Sequence, residues 1–160
     1  MSASDTVIVL VMHGEPPRDF PREAIGEYFV LHERLAWAPP DQHAALRERL
    51  QDLDHQIRTW PRTPTNDPFY GGSLALAAAL EQAAGVPVIV AFNEFCAPAL
   101  PEALDRAAAV ASRVLVVSPM MTRGGSHAES DIPRGRGTRP QAPPRRGLRL
   151  RLAVRHRRSG

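Results

Sequence analysis

The stretch Thr6-Val-Ile-Val-Leu-Val-Met12, followed at once by His13-Gly14-Glu15-Pro16-Pro17, decides how this chain is read. A continuous apolar, β-branched run has no polar face, which is the pattern of a strand buried on both sides of a parallel sheet. It is far too short to cross a bilayer. Two further runs share its character: Val86-Pro-Val-Ile-Val-Ala-Phe92 and Arg113-Val-Leu-Val-Val-Ser-Pro119. Between the strands the pattern changes to a helical one. Ile25, Phe29 and Leu35 suggest a helix over about 22–37, stopped by Pro39 and Pro40. Leu46, Leu50, Leu53 and Ile57 mark an amphipathic helix over about 41–58. Trp60 to Gly72 reads as a loop. Ser73 is expected to cap the Ala/Leu-rich helix that Gly85 ends, and Pro101 opens another. Strands alternating with helices at this rhythm indicate a parallel α/β sheet, and right-handed crossovers put the three strand C-termini along one edge.

Composition sets the bounds. At 160 residues the chain suits one domain with a sizeable apolar core. A single cysteine, Cys96, excludes an internal disulfide. That, and an N-terminus without a basic n-region, is the basis for expecting a cytoplasmic protein with no membrane segment. The charge is split. Residues 1–131 hold ten arginines against all seventeen carboxylates, whereas residues 132–160 hold ten arginines and no acid. The chain has no lysine, so arginine enrichment is a weak functional signal. Residues 134–160 lack periodicity and are expected to form a disordered Arg/Pro-rich tail, with a candidate edge strand over 148–154. The tail has no interleaved aromatics, which argues against a nucleic-acid partner.

In an open parallel sheet, ligands bind beyond the C-terminal ends of the strands. His13 follows the first strand directly, Glu94 lies two residues past the second, and His127 falls in the Gly-rich loop after the third. Two imidazoles and a carboxylate form a nitrogen-rich, borderline donor set suited to divalent cobalt, iron, nickel or zinc. Isolated histidines in surface loops are commonly only solvated, and His32, His43, His55 and His156 are read that way. Cys96 reads as a small buried hydrophobe.

The stretch Phe92-Asn-Glu94-Phe-Cys-Ala-Pro98-Ala-Leu100-Pro-Glu-Ala-Leu104 is similar to a hallmark of the small sirohydrochlorin chelatases. Val116-Val-Ser-Pro119 through Gly124-Gly-Ser-His127-Ala-Glu-Ser-Asp131-Ile-Pro133 resembles their second hallmark more closely, and His13-Gly14 matches their N-terminal motif. The resemblance covers about 6–17 and 70–133. It implies a three-layer, flavodoxin-like class II chelatase fold over 1–133, with 18–69 as a helical insertion. It further implies insertion of a divalent metal, cobalt or iron, into sirohydrochlorin or a related tetrapyrrole of cobalamin or sirohaem biosynthesis, with no organic cofactor. By the same resemblance His13 and His127 are the metal-ligand and proton-handling histidines and Glu94 the acidic partner. Arg123 is then a candidate for a substrate carboxylate, and Gly124 and Gly125 for close backbone approach to the macrocycle. The resemblance also leaves room for a homodimer, since small chelatases of this type often pair to complete their site.

Two features depart from that pattern. The insertion, with Trp37, Trp60, Phe69 and the adjoining Tyr70, suits either a lid or dimer surface or ordinary core packing. After Asp131-Ile132-Pro133 the expected helix is not legible, so the fold reads as incomplete at its C-terminus, and a non-catalytic metal- or tetrapyrrole-binding remnant stays open. Val11-Met12-His13-Gly14-Glu15 is also similar to the Arg-His-Gly-Glu start of histidine phosphatases, but Met12 stands where the phosphate-binding arginine would be.

Overall fold

A computed structural model describes residues 5–119 and the backbone of residues 149–152. The elements run β1 (Thr6–Met12), α1 (Arg22–Trp37), a 3-10 turn (Pro40–Gln42), α2 (His43–Thr59), α3 (Pro68–Ala84), β2 (Val88–Phe92), α4 (Leu100–Val110), β3 (Arg113–Val117) and β4 (Arg149–Leu152). Among the described residues no helix is long and apolar enough to cross a membrane. The chain divides into two compact units. One holds the described residues among 1–13, 72–93 and 98–160, the other residues 14–71 and 94–97.

The first unit is the sheet. All strand pairs are parallel and the order is β2-β1-β3-β4, with β1 central. Ile8 pairs with Val88 on one side and Leu115 on the other, which sets the register. Central placement explains the unbroken apolar run of β1, whose residues Val7 to Met12 are all buried. Val7, Val9 and Val11 join Ala91, Val114 and Val116 in a core closed by Leu100, Ala103 and Ala107 of α4. Small alanines on that helix face let its backbone approach the sheet closely. β2 begins at Val88 rather than at Val86 because Pro87 has no N–H for the ladder. The Pro87 carbonyl still accepts from the Ile8 N–H at 2.9 Å.

The second unit is helical. α1 and α2 share a core of Leu31, Leu46 and Leu53, and a second cluster joins Phe20, Ile57 and Phe95. Trp60 meets Phe20 edge-on at 4.9 Å and donates its indole N–H to Asp19 at 3.0 Å, so it packs rather than standing free. Trp37 is the opposite case, 86% exposed. His43, expected to be merely solvated, is half-buried, with Nε2 2.8 Å from the Ala38 carbonyl. Glu27 and Arg49 form a two-pronged ion pair, at 2.7 Å on both prongs, between α1 and α2. Both side chains are exposed, so solvent screens the pair and it adds little to stability.

The start of α3 differs from the sequence expectation. Ser73 does not cap the helix; it is buried within it, and the helix begins five residues earlier at Pro68. The cap is Asp67, whose Oδ1 accepts the Tyr70 N–H at 2.9 Å. Asp-Pro supplies both halves of a helix start: an acceptor for an orphan N–H, then a residue with φ already helical. Gly71 and Gly72 made the segment look like a loop, but each lies inside the helix.

Candidate functional site

The strand ends of the sheet unit bring two loops side by side. Met12 pairs with Phe92, the last residues of β1 and β2, and the Asn93 N–H donates to the Met12 carbonyl at 2.9 Å. His13 and Asn93 therefore leave adjacent parallel strands at the same level. The chain then makes a tight excursion through Glu94–Ala97 and returns, with the Phe92 N–H donating to the Pro98 carbonyl at 2.9 Å. β3 ends at Val117, and Ser118 beyond it is buried. His127, Arg123, Gly124 and Gly125 lie outside the described residues.

Within the helical unit the same two loops meet through their backbones. A Cβ on Gly14 would lie 1.7 Å from the Glu94 carbonyl oxygen and 2.8 Å from its carbon. Only glycine permits that approach. The Glu94 carbonyl also accepts the Cys96 N–H at 2.7 Å, closing a turn around Phe95. Phe95 takes φ of 58°, the left-handed region, at a cost of roughly 1–3 kcal/mol for a residue with a side chain. Burial of its ring against Tyr28 at 5.7 Å, edge-on, helps to offset that cost.

A polar network with no counterpart in the sequence expectations lies behind this turn. Arg62 donates from Nη1 to the Glu15 carbonyl at 2.8 Å and to Asp67 Oδ2 at 2.7 Å. From Nη2 it donates to the Ile57 carbonyl at 2.7 Å and to the Phe95 carbonyl. The Arg62 and Asp67 side chains are only 7% and 0% exposed, so this is a buried ion pair. Arg58 donates to the Cys96 carbonyl at 2.8 Å and to Asp54 at 2.7 Å. Asn66 is satisfied on both ends of its amide: Oδ1 accepts the Thr63 N–H, and Nδ2 donates to Asp19 and the Pro61 carbonyl. Asn66-Asp67-Pro68 was the available signal, since a cap and an N1 proline standing together fix a loop as well as a helix start.

The titrating groups around the turn follow from this packing. Burial pushes the Cys96 thiol up to about 11, and the nearby Arg62 charge only partly opposes it. Its Sγ faces Asp67 Oδ2 at 3.6 Å and the Glu15 carbonyl at 3.8 Å, so Cys96 is a buried thiol in a polar niche. The Tyr28 hydroxyl is also raised, chiefly by burial, then by the negative charge of Asp54, with Arg58 opposing and Glu94 adding a smaller push. That places Tyr28 within electrostatic reach of Glu94. Among the described residues no three His, Cys, Asp or Glu side chains gather into a set able to hold a metal ion. The third residue expected of the set, His127, lies outside them. Met12 is buried in the strand, so no phosphate clamp stands before His13.

Comparison with protein families gives a match to the CbiX family over residues 70–144, just under half of the chain. The matched span takes in Glu94, Arg123, Gly124, Gly125 and His127, and it leaves His13 and the residues of α1 and α2 outside. It supports the class II chelatase family of the sirohydrochlorin cobalto- and ferrochelatase type. The α/β parallel sheet agrees with the fold of that family. The CbiX match supports tetrapyrrole metal chelation in general, with a tetrapyrrole and a divalent metal ion as substrates. No curated protein matches the chain.

Proposed function

We propose that this protein inserts divalent cobalt or iron into sirohydrochlorin or a closely related tetrapyrrole. His13 and His127 take the roles of metal ligand and proton acceptor, and Glu94 that of acidic partner. The observation that carries the reading is the fit of Gly14 against the Glu94 carbonyl, which brings the loops that follow β1 and β2 together. In the CbiX match, Glu94 and the Gly124-Gly125-Ser126-His127 stretch fall inside one family span.

The chemistry suits those residue types. The free macrocycle carries two pyrrole N–H protons; it leaves as a dianion bound to the metal, so each turnover consumes one divalent ion and releases two protons. A neutral imidazole can hold a partly dehydrated ion or accept a proton near neutral pH. A carboxylate beside it lowers the cost of the cation and can pass protons outward. Arg123 would face a substrate carboxylate, and Gly124 and Gly125 would admit the flat ring close to backbone.

Titration of the protein with Co²⁺, followed by visible absorption, tests the donor set. His13→Ala, Glu94→Gln and His127→Ala are each expected to weaken binding by about tenfold or more. A triple variant that binds Co²⁺ as the wild type does would overturn the assignment.

A further inference from the structure

The turn that carries Glu94 is held by groups for which metal insertion has no direct use. Three successive carbonyls, those of Glu94, Phe95 and Cys96, accept from the Cys96 N–H, Arg62 and Arg58 respectively. Arg62 reaches further than the turn. The same guanidinium holds the carbonyl of Glu15, one residue beyond Gly14, and is anchored by Asp67 and the Ile57 carbonyl. Four contacts from one planar fork thus tie the loop after β1 to the loop after β2, where Gly14 packs on the Glu94 carbonyl. Arg62, Arg58 and Asp67 all fall in residues 18–69.

A guanidinium is the group for this task. It presents its donors in a fixed plane, so it fixes the angle between its acceptors as well as their distance. Its Nε is buried and meets no acceptor among the described residues, so the side chain is set by its two terminal nitrogens.

We propose that Arg62 is a positioning residue for metal insertion: by holding the Phe95 and Glu15 carbonyls it sets the turn that carries Glu94 against the loop of Gly14 and Glu15. This rests on the reading of Glu94 as the acidic partner. On this view residues 18–69 supply the buttress of the turn that carries Glu94.

The test is a double-mutant cycle on the full chain with Arg62→Lys and Glu94→Gln, read as kcat/KM for metalation and as Co²⁺ affinity. Lysine keeps a positive charge beside Asp67 but cannot hold four acceptors in one plane. R62K is expected to lower metalation about tenfold with native far-UV circular dichroism, and E94Q to lower it at least as far. Because Arg62 acts through Glu94, R62K/E94Q should fall within about twofold of E94Q alone. If the two losses multiply, or if R62K metalates as the wild type does, Arg62 is structural only and the proposal fails while the role of Glu94 stands. If E94Q itself metalates normally, the reading of Glu94 fails, and the positioning role with it. Should R62K lose native circular dichroism, Arg62→Gln combined with Asp67→Asn removes both buried charges together and enters the same cycle.

Discussion

Gly14 stands so close to Glu94 that a Cβ there would lie 1.7 Å from the Glu94 carbonyl oxygen. The obstructing atom is backbone, and it belongs to a turn already fixed by the Cys96 N–H and by Phe95 in the left-handed region. Neither partner can yield by rotating a side chain.

Gly14→Ala is therefore expected to part the two loops. The cost should be about 1–3 kcal/mol, the usual range for overpacking a tight site, read as a lower urea midpoint at unchanged slope. Metalation should fall by about tenfold or more, since the residues on either side of the contact are those assigned to the chemistry. A G14A protein with wild-type stability and rate would show that the close approach has no consequence.

Asp67 has two separable duties, and its two oxygens divide them. Oδ1 caps α3 through the Tyr70 N–H, while Oδ2 pairs with Arg62. Asp67→Ala removes both and leaves a buried guanidinium without its counter-charge, for an expected loss of about 3–5 kcal/mol. Asp67→Asn keeps an acceptor for the cap and should cost clearly less. Urea denaturation of the two variants makes the comparison; equal losses would mean that the cap contributes nothing beyond the ion pair.

Cys96 gives a prediction in pH. Its thiol is raised from 9.0 to about 11 in the folded protein, mainly by burial. The unfolded chain thus releases this proton first as pH rises. Stability from this group is fully present below about pH 9 and is lost between about 9 and 11. Cys96→Ala should flatten that part of the pH–stability curve. At neutral pH the native thiol should alkylate far more slowly than the same thiol in urea, because it is both protonated and enclosed. Equal rates would contradict the burial.

The sheet was legible because its signals are local and redundant. An unbroken β-branched run needs cover on both faces, and β1 is the central strand; Pro101 and the alanines of α4 fit one another without reference to the rest of the chain. The start of α3 was not, because two glycines outweighed the Asp67-Pro68 pair, although capping chemistry decides a helix start more directly than interior propensity. Of the Arg62 network only the Asp67-Pro68 helix start left a trace in the sequence. Three of its four acceptors are backbone carbonyls, and those of Glu15 and Phe95 lie far from Arg62 in sequence, so residue types carry no trace of them. Glu94 was picked out by its position past a strand and by resemblance, and the turn that holds it emerged only from the backbone. Residues 123–127 lie outside the described residues, so for them the sequence and the CbiX match speak alone.

The central claim is that this chain catalyses metal insertion. It is tested most directly by anaerobic incubation of the protein with sirohydrochlorin and Co²⁺, and separately Fe²⁺, following the visible spectrum of the macrocycle. The wild type is expected to metalate well above the spontaneous rate, with Glu94→Gln and His127→Ala falling towards that rate. A wild-type rate equal to the spontaneous one with both metals would contradict the claim.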